Sequence, residues 1–279
     1  MSECLIDRAF LRLAHGLVHY REVTGAAAAS ERPLLLLHAS PNCSRSMVPL
    51  MAGCAGRGRV LAPDTPGNGD SERPPAVQPE MADYAAIVDG FLAALDIAEV
   101  DVFGSHTGAH IAVELAARFP RRVRSIVVDG LLVLTPSERE DYLANYAPPR
   151  VPDEAGSQFH WAWQYVRDQM IFFPHFRKDR GHLRAGGSFD PEFLHHMTLD
   201  VLRTLRTYHL AYEAVFRHDL EAALARVACP VRWLDAGHGY LDDGMRLLQA
   251  VAPAASVVRV GHAPEDFAAA IEAFNREVP

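Results

Sequence analysis

The chain has 279 residues, of which 49% are apolar and 22% charged, and a net charge of −8. That length suits one large domain, or a core domain carrying an insertion, with a substantial buried core. The acidic balance argues against a nucleic-acid partner, because phosphate-binding chains carry a basic stripe. Cys4, Cys43, Cys54 and Cys229 show no paired spacing and read as reduced thiols. No basic stretch leads into an apolar one at the N-terminus, and no apolar run is long enough to cross a bilayer. A cytoplasmic protein is expected, acting as a monomer or homodimer on a small molecule.

Two short extended segments open the chain, Leu17 to Val23 being the clearer. Leu34 to Leu37 is four apolar residues between breakers, the pattern of a buried parallel strand. A helix is expected over Ser44 to Ala55, then a strand over Arg59 to Ala62 that runs into a Gly/Pro-rich loop ending at Ser71. Residues 81 to 95 carry helical periodicity. Val100 to Phe103 reads as a strand, Ala109 to Arg118 as a helix and Ser125 to Val128 as a strand. This alternation implies a mostly parallel, doubly wound α/β sheet. It breaks from about Thr135 to Ala225, where aromatic-rich helical segments replace strands. Alternation resumes with strand Val231 to Leu234, a helix near Gly244 to Val251, strand Ser256 to Val260 and a helix from Glu265. The expected division is a core of residues 1–134 and 226–279 with a helical cap over 135–225.

The chemistry concentrates in Gly104-Ser105-His106-Thr107-Gly108, between a strand and a helix. Two glycines permit a sharp turn that lifts the central side chain above the sheet. That central residue is His106. A register centred on Ser105 would need glycines where the chain has Phe103 and Thr107, and it is rejected.

This segment resembles the nucleophile elbow of the α/β-hydrolase superfamily, with histidine in place of serine. Three other segments carry the resemblance, which spans most of the chain outside the cap. Leu37-His38-Ala39-Ser40-Pro41 is similar to the strand-end oxyanion segment, with Ala39 in place of a glycine. Asp64-Thr65-Pro66-Gly67-Asn68-Gly69-Asp70-Ser71 is close to the family's D-x-P-G-x-G-x-S loop, and Val260-Gly261-His262 resembles the loop presenting the catalytic histidine. The resemblance implies an α/β-hydrolase fold with His106 in the nucleophile position, His262 as the family histidine, and an oxyanion hole from the N–H groups of Ser40 and Thr107. After the penultimate strand, Ala236-Gly237-His238-Gly239 lacks the usual acid. Asp129, at the end of the preceding strand, resembles the acid position of some haloalkane dehalogenases and of cofactor-free quinolone-ring dioxygenases.

A neutral imidazole attacks without a base, and the acyl-imidazole it forms is labile; the same ring also acts as a general base. Hydrolysis of an ester, lactone, thioester or activated C–C bond in a small organic substrate is the first expectation. A lyase, decarboxylase or cofactor-free oxygenase is the alternative, and a catalytically silent ligand-binding protein the third. Substrate-binding candidates are His38, whose first role is to hold the oxyanion loop, and His160, Trp161, Trp163 and Phe173 of the cap. His195-His196 point apart on a helix without completing a ligand set, so no metal and no cofactor are expected.

Overall fold

The computed structural model describes residues 5–24, 32–184, 189–237 and 239–278. Its sheet contains β1 (Asp7–Leu13), β2 (Gly16–Thr24), β3 (Leu34–Leu37), β4 (Arg59–Pro63), β5 (Val100–Ser105), β6 (Val123–Asp129), β7 (Val231–Asp235) and β8 (Ser256–Arg259). The spatial order is β1-β2-β4-β3-β5-β6-β7-β8. β2 runs antiparallel to both β1 and β4, and the remaining neighbours are parallel.

Alternation along the central strands explains why both faces are covered. Leu35, Leu37, Val102, Ile126 and Val128 join one apolar cluster, while Leu34, Leu36, Phe103 and Val127 join another on the opposite face. Successive side chains of a strand point to opposite faces, so runs without polar residues demand helices on both. Helices α1 (Val48–Gly53), α2 (Met81–Ala94) and α3 (Thr107–Arg118) precede β6. The α2 and α3 side chains fill the first cluster, whereas Leu50 and Met51 of α1 belong to the second.

Between β6 and β7 lie α4 (Pro136–Asn145), α5 (Ser157–Ile171), α6 (Pro191–Arg203), α7 (Tyr208–Arg217) and α8 (Leu220–Leu224). Among the described residues of this stretch, the sheet-like pairing is an isolated bridge, Phe172 to Leu183. α9 (Asp242–Val251) and α10 (Pro264–Glu277) follow β7 and β8, and Ala268, Ile271 and Phe274 of α10 complete the second cluster. No helix among the described residues is long and apolar enough to cross a membrane.

Two boundaries differ from the sequence reading. The helix expected over Ser44 to Ala55 divides into a 3-10 turn, Ser44–Met47, and α1. Pro49 sits in the first turn of α1, where a missing N–H is tolerated, so a new helix starts there. α3 begins at Thr107 rather than Ala109, directly after the elbow residue.

The Gly/Pro-rich loop is anchored by Asp64. One of its carboxylate oxygens accepts from the Ser44 N–H at 2.7 Å; the other accepts from the Asp70 N–H at 2.8 Å and meets His19 Nδ1 at 2.9 Å. Burial opposes the charge, yet the hydrogen bonds from His19, Ser44 and Asp70 hold the carboxyl down at about 2. His19, Asp64 and Asp70 group closely enough for a cation, but these bonds already occupy Asp64 as a loop anchor.

Candidate active site

The elbow is built by close backbone approach. A Cβ on Gly104 would strike the Gly108 carbonyl, and one on Gly108 would strike the Leu37 carbonyl. Both glycines are therefore required for α3 to leave β5 so abruptly. Between them His106 adopts φ 49° and ψ −108°, a sparsely populated conformation for a side-chain-bearing residue. Its N–H donates to the Asp129 carbonyl at 2.8 Å, which ties the turn to the end of β6.

Three polar side chains converge at these strand ends. Ser105 and Asp129 are register partners on parallel neighbours. The Ser105 hydroxyl donates to Asp129 Oδ2 at 3.1 Å and lies 3.1 Å from His106 Nδ1. Asp129 is buried. Gly130, at φ 82°, leaves room for the imidazole, since a Cβ there would lie 3.3 Å from both His106 Cε1 and Nδ1 and 2.6 Å from Leu241 Cδ1. Burial, with a smaller contribution from the Arg184 cation, pushes the His106 pKa down to about 4. The ring is neutral at pH 7.

His106 and Thr107 line a cavity of about 50 Å³ together with His110, Gly130, Leu132, Tyr146, Phe173, Tyr212, Val215, Phe216 and Leu241. One water needs about 10–15 Å³ of such space, so this partly open cavity holds a few waters. A larger organic substrate displaces side chains of α7 and Phe173, which follows α5. Wider grooves lie elsewhere. One of about 410 Å³, lined by Arg32, Arg57, Glu272 and Arg276, is at the opposite ends of the strands. Chemistry in parallel sheets belongs at the carboxyl ends, which selects the smaller cavity.

The expected oxyanion residues meet beside the elbow. The Ser40 N–H donates to Thr107 Oγ1 at 3.4 Å, and the Ser40 carbonyl accepts from the Tyr212 hydroxyl at 2.6 Å. Thr107 is the first residue of α3, where backbone N–H groups lack intrahelical acceptors. Tyr212 thus fastens α7 to the oxyanion segment, a contact without a local sequence signal.

A second polar chain borders the cavity. The Leu132 N–H donates to His110 Nε2 at 3.0 Å, His110 Nδ1 lies 2.9 Å from His218 Nδ1, and His218 Nε2 lies 3.3 Å from Glu114. Burial and the neighbouring His218 hold the His110 pKa well below its ordinary value.

Of the pocket candidates, Phe173 lines the cavity. His38 does not: it is fully buried, its Nε2 accepts from the Thr65 N–H at 2.9 Å and its Nδ1 meets the Ala39 carbonyl at 3.0 Å. With both nitrogens engaged by backbone, it braces the oxyanion segment rather than meeting substrate. Trp161 also lies outside the lining, stacked on Tyr165 with ring centroids 5.0 Å apart. His160 and Trp163 are exposed on α5 and are absent from the lining. His262 is exposed on the loop between β8 and α10 and is likewise absent from it. His238, in the turn where the usual acid is missing, lies outside the described residues. Sequence reasoning weighed Ser105 only as a nucleophile and rejected it, and it passed over Gly130, His110 and Tyr212. The signal for Ser105 was its place at the end of a strand whose parallel neighbour ends in Asp129.

A family model for the alpha/beta hydrolase fold matches residues 32–166. The chain is 35% identical over 117 residues to a haloalkane dehalogenase of Mesorhizobium japonicum, covering 42% of this chain and 37% of that protein. It is 38% identical over 104 residues to a 2-hydroxymuconate semialdehyde hydrolase of a Pseudomonas species, covering 35% and 36%. These matches therefore span less than two-fifths of either relative. Across nearly the whole chain the fold is similar to epoxide hydrolase A of Mycobacterium thermoresistibile, with TM-score 0.72, 18% identity and 99% of each chain covered. The enol-lactonase of Burkholderia xenovorans gives 0.69 at 19% identity, covering 97% of this chain and 98% of that one.

Proposed function

The chain is an α/β-hydrolase-fold protein, and from that premise we propose that it hydrolyses an ester, lactone, thioester or activated C–C bond of a small, partly apolar molecule, with His106 as the attacking group. The observation that carries this reading is the elbow imidazole lining an apolar cavity together with Thr107, to whose side chain the Ser40 segment is tied. The His106 lone pair attacks the acyl carbon, and the carbonyl π pair moves onto oxygen. The Thr107 N–H receives that oxyanion, joined by the Ser40 N–H as it turns from Thr107 Oγ1, a contact of about 3 kcal/mol each in comparable sites. Collapse expels the leaving group, which takes up a proton from solvent as the acyl-imidazolium releases one. Water then adds to the acyl carbon and gives one proton to solvent. The tetrahedral adduct collapses to the acid, returning that proton equivalent and neutral His106.

A pKa of about 4 favours attack over general-base work. A base is most effective when its pKa lies near the working pH, whereas a weakly basic imidazole is a good leaving group in the second half-reaction. Asp129 supports the ring. His262, exposed, serves proton exchange with solvent. We read the helices from α4 to α8 as a cap contributing Phe173, Tyr212 and Phe216 to substrate binding. The free thiols of Cys43, Cys54 and Cys229 suit the cytoplasm.

The test is a panel of p-nitrophenyl esters, lactones and thioesters with wild type and His106→Ala, followed by rapid-quench peptide mass spectrometry. An acyl adduct on the His106 peptide is expected. Turnover that is unchanged in the alanine variant, or absent throughout the panel, would refute hydrolysis by this residue.

A further inference from the structure

Resting on the proposed role of His106, we propose that Ser105 is its positioning residue, and that His106, Ser105 and Asp129 act as one hydrogen-bonded unit. The hydrogens of the unit can be counted. A serine hydroxyl has one, and the Ser105 hydroxyl donates it to Asp129 Oδ2. The 3.1 Å contact between Ser105 Oγ and His106 Nδ1 is a hydrogen bond only when the proton sits on Nδ1. The network thereby selects the Nδ1–H tautomer of a ring that is neutral at pH 7, and leaves the in-plane lone pair on Nε2.

Three features hold this geometry. Parallel register sets Ser105 beside Asp129 at adjacent strand ends. The His106 N–H to Asp129 carbonyl bond fixes the elbow against the same residue. Gly130 lets the Nδ1 edge of the ring settle over the turn. Serine is not the nucleophile here, because Ser105 does not line the cavity whereas His106 and Thr107 do. As Nε2 attacks, the ring gains positive charge. The Nδ1 proton then shifts toward Ser105 Oγ while the hydroxyl proton shifts toward Asp129, so the charge is spread without any group leaving the unit. The carboxylate acts on the imidazole through one hydroxyl.

The experiment reads the tautomer directly and needs no substrate. Two-dimensional nitrogen–proton correlation spectra of protein labelled with 15N-histidine, assigned by loss of the His106 signals in His106→Asn, report which ring nitrogen carries hydrogen. Wild type is expected to show Nδ1–H, Ser105→Ala a shift toward Nε2–H, and Ser105→Thr the wild-type pattern, because it restores the hydroxyl. On the best substrate of the panel, Ser105→Ala should lower kcat about tenfold with little change in KM, as removal of an orienting partner does, and Ser105→Thr should recover most of it. An Nε2–H ring in wild type, or an unchanged tautomer in Ser105→Ala, overturns the proposal. So does an acyl adduct on Ser105. Absence of turnover across the panel would instead count against the hydrolase reading, since the spectra stand without it.

Discussion

Replacing His106 with Asn should flatten the acid limb of the protein's stability curve. Asparagine tolerates a positive φ better than most residues, so the elbow at φ 49° survives. In the folded chain the His106 pKa lies at about 4, whereas an unfolded histidine titrates near 6.5. Between those values the unfolded state binds a proton that the folded state refuses, so stability falls as pH falls, at up to about 1.4 kcal/mol per pH unit. The contribution is intact above about 6.5 and lost toward 4, a total of about 3 kcal/mol. His175, also pushed down to about 4 by burial, imposes a similar slope, but it is present in both proteins and cancels in the difference. The assay is urea unfolding of wild type and His106→Asn at half-unit steps from pH 7.5 to 4. Their stability difference should shift toward the variant by about 3 kcal/mol across that window. Parallel curves would refute a neutral, buried His106. The kinetic counterpart is a kcat/KM held by His106 down to about pH 5 and falling with an apparent pKa of about 4.

His106→Ser should lose about a hundredfold in turnover, because its short oxygen sits about an ångström or more away from where the imidazole nitrogen attacks, and His106→Ala should lose at least as much in the same steady-state assay. Gly130→Ala must place a Cβ 2.6 Å from Leu241 and 3.3 Å from the His106 ring at φ 82°; a loss of about 1–3 kcal/mol in urea unfolding, with lowered kcat, is expected, and a silent variant would contradict the tight seating of the ring. Tyr212→Phe removes the 2.6 Å bond to the Ser40 carbonyl, which should cost about 1 kcal/mol of stability and slow turnover more than it weakens binding, as read from kcat and KM separately.

The strands and the elbow were legible because they rest on steric necessity over short sequence spans. Four apolar residues between breakers form β3, and only glycine fits at 104 and 108, whose Cβ positions the backbone occupies. The reach of the pocket was not legible. Aromatic residues at helical spacing declare that α5 is amphipathic, but which ring meets the cavity depends on how α5 packs. Trp161 turns onto Tyr165, while Phe173, beyond the helix, reaches the cavity beside His106. His38 was easier: its place directly after β3 pointed first to bracing the oxyanion segment, and both its nitrogens meet backbone groups.

Ser105 marks the deeper limit. Read alone, the elbow presents two polar residues in succession, and steric logic correctly gives the projecting position to His106. The same logic leaves the preceding residue as the last of the strand, where one-dimensional reasoning assigns it no chemistry. Its partner lies 24 positions later and becomes a neighbour only through the register of β5 against β6, which pairs Ser105 with Asp129. Register is set by the apolar alternation of Val102, Phe103, Ile126 and Val127 across two covered faces. A slip of one residue would turn Ser105 to the other face and separate it from the carboxylate. Core packing therefore fixes the hydrogen-bond partner of the imidazole.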